Sequence, residues 1–285
     1  MLKAITGKTG IFGIIGDPIE HTVSPAMHNA AFMELGLDCV YLPFKVHSQD
    51  LGKAIQGMRG LNIRGLNVTI PHKVAVMTLL DDVDDSARNL GAVNTITSDG
   101  GLKGYNTDAI GFLNSLAARK IEPADKKIVV LGAGGAARAV ALILMDRGAH
   151  LTIVNRHLPA AQALAGRLTG MYRRDIQTLE FTADNLKEAL GEADLVVNTT
   201  PVGMFPAIDY SPIPYRWLKK KLVVFDIIYN PIKTRLLQDA ERRGAVVISG
   251  VEMLVGQGAA AFELWTGKKA PVEAMRAAVV EALTP

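Results

Sequence analysis

The chain has 285 residues, 49% of them hydrophobic, enough to bury a substantial core and long enough that a single core usually divides in two. Lys plus Arg number 31 against 28 Asp plus Glu, and the basic residues are scattered, with Lys219-Lys220-Lys221 the densest run; this points to solvated surface and away from nucleic acid. Cys39 is the only cysteine, which excludes an intrachain disulfide and a thiol-rich metal site. A single cysteine makes a reducing cytoplasm the expected setting, no apolar stretch approaches the roughly 18 residues of a membrane helix, and the run Ile11 to Ile15 is stopped by Asp17-Pro18 too early for a signal peptide.

In chain order, Gly10 to Ile15, Val40 to Phe44, Gly65 to Thr69 and Ala92 to Thr97 are predicted strands, and Pro25 to Leu35, Ser48 to Arg59 and His72 to Leu80 predicted helices. Asp99-Gly100-Gly101 reads as a hairpin turn. From Lys126 a second alternation begins, with apolar strands at Ile128 to Leu131, Leu151 to Val154, Leu195 to Asn198 and Leu222 to Asp226 suited to burial on both faces. Two helices, Val251 to Trp265 and Pro271 to Leu283, follow with no further strand. The alternation predicts an α/β fold of two domains. The first spans 1–106, the second 107–249, and the C-terminal helices, 250–285, return to the first.

Ser24 stands before a helix with Pro25 at its first position, which capping explains, though a carboxylate ligand would also find hydroxyls and N–H groups there. In Asn67-Val68-Thr69-Ile70-Pro71-His72-Lys73 a strand end leads into a predicted helix that starts at the proline. Lys73 in its first turn would oppose the helix dipole, an arrangement open to a general acid or base, or it points into water. Asp108 opens the next helix after Tyr105-Asn106-Thr107; it caps that helix, or it faces a cleft and pairs with Lys73. His21, His28 and His72 lack the spacing of a metal site.

Lys127 to Leu131 is an apolar strand running into Gly132-Ala133-Gly134-Gly135-Ala136-Ala137 and an alanine-rich helix, the G-x-G-x-x-A pattern of a dinucleotide site in its required context. Gly132 permits the tight turn, Gly134 lets backbone approach a pyrophosphate, and Ala137 keeps helix and strand close. The next strand ends in Asn155-Arg156 where an acid would bind the 2'-hydroxyl of NAD. A guanidinium there suits the 2'-phosphate of NADP, or is a surface arginine. In the helix after Gly250, Gln257 lies about 140° around the wheel from Glu252, whereas Glu263 lies about 20° away. Gln257 therefore falls among apolar neighbours, its amide needing a substrate hydroxyl or buried backbone as partner.

Together, Gly16-Asp17-Pro18-Ile19-Glu20-His21 leading into Ser24-Pro25, Asn67 to Lys73, Gly91-Ala92-Val93-Asn94-Thr95, Tyr105 to Asp108, Gly132 to Ala137, Asn198-Thr199-Thr200-Pro201-Val202-Gly203-Met204 and Gly250 to Gln257 resemble, in order and across essentially the whole chain, the shikimate dehydrogenases. The resemblance implies a substrate domain and a Rossmann-type domain that binds NADP. The implied reaction is reversible reduction of 3-dehydroshikimate to shikimate, a step of chorismate and aromatic amino-acid biosynthesis, in the cleft between them. It implies Lys73 and Asp108 as the catalytic pair, with Lys73 the proton donor and acceptor. Thr22 and Ser24 are implied on the substrate carboxylate and Asn94, Asp108 and Gln257 on its hydroxyls, with Thr69 nearby and Tyr229 lining the cleft.

For the cofactor, the resemblance puts the pyrophosphate on Gly132, Ala133, Gly134, Gly135, Ala136 and Ala137. It puts the 2'-phosphate on Asn155 and Arg156, and the nicotinamide near Thr199, Gly250 and Met253. No metal is implied, and the expected form is a monomer or homodimer acting on a small molecule. Thr22 departs from the family's usual serine, and His157 and Ala160 replace its Thr and basic residue, which bears on the choice of acid and of cofactor. Two alternatives are a dual-specificity quinate/shikimate dehydrogenase using NAD or NADP, and a non-catalytic cofactor-binding sensor of the same fold.

Overall fold

The computed structural model describes residues 4–284; residues 1–3 and 285 of the expected terminal segments lie outside the described residues. The chain divides into two compact units, Met1–Gly111 with Val255–Pro285, and Phe112–Leu254. The first contains β1 (Gly10–Gly16), α1 (Ser24–Glu34), β2 (Cys39–Lys45), α2 (Leu51–Gly60), β3 (Ile63–Val68), β4 (Asp82–Val83), α3 (Asp85–Leu90), β5 (Thr95–Thr97) and β6 (Lys103–Tyr105). The chain leaves it within α4 (Asp108–Ala117). The second contains β7 (Lys127–Leu131), α5 (Gly135–Asp146), β8 (His150–Asn155), α6 (Leu158–Tyr172), β9 (Gln177–Glu180), α7 (Ala183–Glu192), β10 (Leu195–Asn198), β11 (Val223–Asp226), α8 (Arg235–Arg242) and β12 (Val246–Ser249). The chain returns to the first unit within α9 (Gly250–Thr266) and ends in α10 (Val272–Leu283).

The first sheet runs β2-β1-β3-β5-β6-β4. β1 is parallel to both β2 and β3, and β5 is antiparallel to β3 and β6. The expected hairpin is present: Thr97 pairs with Lys103, and the turn uses positive φ at Gly100 (69°) and Gly101 (137°), which glycine adopts at little cost. One apolar core gathers Ile15, Leu51, Ile55, Met58, Leu66 and Val76. Phe12, Phe32, Tyr41, Trp265 and Phe262 form a chain of ring contacts in the same unit. Gly65 gives Trp265 its seat, since a Cβ there would stand 2.3 Å from the indole nitrogen, which donates to the Ile96 carbonyl at 2.9 Å. The C-terminal helices thus complete the first unit.

The second sheet is wholly parallel in the order β12-β11-β10-β7-β8-β9. Its central strands are buried: Ile128, Val130, Leu131, Val196 and Val197 are all 1% exposed or less, each such side chain contributing about 1.5–3 kcal/mol. Strand order reverses direction at the β7/β10 junction, where ligands bind open α/β sheets.

Several elements differ from the expectation. His72 to Leu80 is not an α-helix: residues 71–74 are turns, followed by a 3-10 stretch at Ala75–Leu79. The Lys73 carbonyl, which an α-helix would use internally, instead accepts from the Val93 N–H at 2.8 Å, and the His72 ring is anchored to the Val46 carbonyl at 2.7 Å. Lys73 consequently stands in a turn, and the helix-dipole argument does not apply to it. The strand expected from Ala92 begins only at Thr95, because Val93 and Asn94 direct their N–H groups to Lys73 and Tyr105. Ser48–Asp50 is a 3-10 turn ahead of α2.

Candidate active site

Lys73 and Asp108, 35 residues apart, meet in the first unit: Lys73 Nζ donates to Asp108 Oδ2 at 2.7 Å. Their side chains are 31% and 20% exposed, sheltered yet within reach of a ligand. The turn that displaced the expected helix is what delivers Lys73, with its backbone tied to Val93 on one side and His72 buried on the other. Asp108 starts α4, and the Asn106 side-chain oxygen accepts from the Asp108 N–H at 3.1 Å. The Asp108 carboxylate is bonded to Lys73 and Asn94.

Asn94, 3% exposed, holds the second carboxylate oxygen, its Nδ2 donating to Asp108 Oδ1 at 2.9 Å. Its own oxygen accepts from the Thr107 N–H at 2.7 Å, which fixes which end of the amide faces Asp108. Both oxygens of the carboxylate are therefore occupied by donors, and the ammonium is held in a defined place beside it. A clamped ammonium next to a carboxylate can pass a proton to and from a substrate oxygen.

Thr22 and Ser24 flank the start of α1. The Ser24 N–H donates to Thr22 Oγ1 at 3.3 Å, and Ser24 is buried. The capping role expected of Ser24 is not found: α1 begins at Ser24 itself, Val23 is the N-cap, and no side-chain cap bond forms. Thr69 is half-buried at the end of β3, and Gln257 is half-buried on the part of α9 that belongs to the first unit. Tyr229 belongs to the second unit, largely enclosed, and burial pushes its hydroxyl pKa up. Sequence reasoning misses Tyr41, Asn67, Thr95 and Thr107 as members of the site. The signal that could have found them is a polar side chain interrupting an apolar strand, as in Gly65-Leu66-Asn67-Val68.

In the second unit, Gly132 carries φ 110°, and a Cβ on it would lie 2.6 Å from Thr199 Oγ1. Thr199 donates to the Leu131 carbonyl through its N–H at 3.0 Å and its hydroxyl at 2.5 Å, so β7 and β10 end in one joined rim. Gly134 and Gly135 have open space where a Cβ would be, and α5 begins there without a side-chain cap. Ala137 is fully buried against the sheet. This is a helix N-terminus with bare backbone and positive potential, fit for a pyrophosphate. Ala133 and Ala136 are half-buried beside it, Asn155 is half-buried and Arg156 exposed at the end of β8.

Gly250 packs so tightly that a Cβ would lie 2.2 Å from the Ile227 carbonyl, and Met253 is buried one turn on. Behind the rim, Asp226 accepts from Asn198, Thr234 and the Ile228 N–H at 3.0, 2.7 and 3.2 Å, and burial raises its pKa to about 6. These bonds fix Asn198 and hence the loop that bears Thr199.

A dinucleotide crevice in one unit and a clamped lysine–aspartate pair in the other define a nicotinamide-dependent oxidoreductase of alcohols and ketones. Residues 14–96 match the family described as shikimate dehydrogenase substrate binding domain, 115–229 that of shikimate / quinate 5-dehydrogenase, and 250–280 that of shikimate 5'-dehydrogenase C-terminal domain. The shikimate dehydrogenase (NADP(+)) of Methanopyrus kandleri is 49% identical over 284 residues, 98% of each chain. A crystal structure of shikimate dehydrogenase in complex with NADP+ superposes with a TM-score of 0.94 at 41% identity, covering 99% of this chain and 98% of that one. The Thermus thermophilus shikimate 5-dehydrogenase in complex with NADP(H) and shikimate gives a TM-score of 0.87 at 36% identity, covering 96% and 100%. The chain belongs to the shikimate dehydrogenase family.

Proposed function

We propose that this chain reversibly reduces 3-dehydroshikimate to shikimate with NADPH, and that Lys73 and Asp108 are its acid–base pair. The observation that carries the assignment is the 2.7 Å contact between these two side chains, brought together from distant segments. In the reducing direction Lys73 gives a proton to the carbonyl oxygen as it becomes a hydroxyl, and in the oxidising direction it takes that proton back. Asp108 orients the ammonium and, with Asn94 and Gln257, offers partners to the ring hydroxyls. Thr22 and Ser24 receive the carboxylate, with Thr69 and Tyr229 completing the substrate contacts. A site with several such groups penalises a ligand that lacks the matching hydroxyl.

Gly132 to Ala137 hold the pyrophosphate, Asn155 and Arg156 the 2'-phosphate, and Thr199, Gly250 and Met253 the nicotinamide, which supplies hydride when bound. In this reading the first unit, residues 1–111 with 255–285, is the substrate domain and the second, 112–254, the cofactor domain, each boundary a few residues past the expected 106/107 and 249/250. The enzyme acts on a small molecule in the cytoplasm, as a monomer or homodimer. Among the described residues no helix is long and apolar enough to cross a membrane.

The test is absorbance of the reduced nicotinamide with shikimate and with quinate, each with NADP and NAD. Shikimate with NADP is expected to give the highest kcat/KM, and absence of turnover with shikimate would overturn the assignment. Lys73→Ala should lower kcat by about 10²-fold or more while NADP affinity stays near parental. A variant turning over at the parental rate would remove Lys73 from the mechanism.

A further inference from the structure

Behind the Lys73–Asp108 pair lies a line of buried polar side chains that no role above accounts for. Tyr41 on β2 is 1% exposed, Asn67 on β3 is 4%, and Thr95 on β5 is fully buried. The Tyr41 hydroxyl donates to Asn67 Oδ1 at 2.7 Å, and Asn67 Nδ2 donates to Thr95 Oγ1 at 3.0 Å and to the Asn94 carbonyl at 3.2 Å. Thr95 Oγ1 donates to Asn94 Oδ1 at 3.0 Å, and Asn94 Nδ2 donates to Asp108 Oδ1 at 2.9 Å.

Two backbone groups fix the direction of this chain. The Asn94 carbonyl can only accept, so Asn67 must turn its NH2 toward it and toward Thr95, leaving its oxygen for Tyr41. The Thr107 N–H can only donate, so Asn94 must turn its oxygen toward it and its NH2 toward Asp108. With Asn67 donating to it, the Thr95 hydroxyl keeps its own proton for Asn94 Oδ1 at 3.0 Å or for Thr107 Oγ1 at 3.2 Å, which is itself bonded to Asn94. Every donor then points toward Asp108. The ring of Tyr41 is held by a stacked His28, centroids 4.4 Å apart, and by Trp265 at 6.0 Å.

We infer that Tyr41, Asn67 and Thr95 are positioning residues for the reaction: a one-way hydrogen-bond relay running from Tyr41 through the sheet that sets the Asn94 amide and, through it, the Asp108 carboxylate that orients Lys73. The inference rests on the assignment of Lys73 and Asp108 as the catalytic pair. Tyr41, Asn67 and Thr95 are each 4% exposed or less, and they act on the geometry of the pair in front of them. In a buried network with no spare donor, loss of one link propagates because its neighbours cannot recruit water.

The test uses the full chain with NADP and shikimate. Thr95→Val breaks the relay at its centre with little change of shape, and should lower kcat by about 3- to 10-fold with the KM for NADP unchanged. Thr95→Ser keeps the hydroxyl and should recover most of that loss. Tyr41→Phe should lower kcat in the same direction, and the double variant should be no worse than Thr95→Val beyond about twofold, since both remove links of one chain.

Parental kcat in Thr95→Val, equal loss in Thr95→Ser, or losses that multiply in the double variant would each overturn the relay while leaving Lys73 and Asp108 in place. If Thr95→Val does not fold, Tyr41→Phe alone decides, and parental kcat in it overturns the relay. A parental chain that does not turn over shikimate would overturn the assigned reaction and the relay with it.

Discussion

Asn94 shows how one side chain's surroundings decide its use. Three donors or acceptors fix its amide, and the fourth direction is the Asp108 carboxylate, so a residue that reads as an ordinary polar strand end acts as a clamp. Arg156 is the opposite case, an exposed guanidinium at the end of β8 that stands open to a phosphate. Charge-assisted hydrogen bonds to a 2'-phosphate are worth about 1.5–3 kcal/mol, so Arg156→Ala should raise the Kd for NADP about tenfold or more while that for NAD barely moves. Titrating both cofactors against the variant checks this. Equal weakening would mean that Arg156 does not distinguish them.

Among elements, the turn from β7 into α5 makes the sharpest demand on sequence. Gly132 has neither the backbone conformation nor the space for a side chain, while Gly134 has both in the free protein. Gly132→Ala should therefore cost about 1–3 kcal/mol of stability. Gly134→Ala should leave stability near parental yet weaken NADP, because its Cβ meets only an approaching pyrophosphate. Denaturant unfolding and cofactor titration of the two variants separate these effects, and a Gly134→Ala variant with parental affinity would place the pyrophosphate elsewhere.

This turn is fully legible in the sequence, since strand, glycines and helix are contiguous and each glycine has a local reason. The β7, β8, β10 and β11 strands are legible for the same kind of reason, being uninterrupted apolar runs. Two edge strands are not: β9, Gln177-Thr178-Leu179-Glu180, is polar because one side faces water, and β12 lies after a glycine turn with exposed Val246. The segment after Pro71 misleads because its helical pattern is local, whereas the bond from Val93 that breaks the helix comes from far along the chain. Long-range polar partners, including the whole line from Tyr41 to Asp108, leave little trace in spacing.

At the scale of the molecule, each unit carries a buried ionisable group shifted by desolvation, His28 in the first and Asp226 in the second, and the two respond to acid with opposite signs. His28 is fully buried with neither ring nitrogen hydrogen-bonded, and desolvation holds its pKa down to about 3. An unfolded histidine takes a proton near pH 6.5, so the stability tied to a neutral His28 is present above that pH and lost as pH falls toward 3. Asp226 is raised to about 6 by burial, so its contribution is present below about pH 4 and lost as pH rises through 6. Acidification from about pH 7 to 5 should speed hydrogen exchange by opening in β1 to β3, after correction for intrinsic rates, and slow it in β10 and β11. Shifts of the same sign in both units would show that these two groups do not govern their acid response.

The first unit is discontinuous in sequence, since its sheet is complete by Tyr105 but the part of α9 bearing Phe262 and Trp265 is encoded after the entire second unit. During synthesis the ribosome therefore releases an aromatic sheet face long before its cover exists. The later-encoded unit, contiguous from Phe112 to Leu254, is complete before the first unit receives that cover. Order of birth and order of completion are thus reversed in this chain, and the interval between them is when the nascent protein has most need of a chaperone.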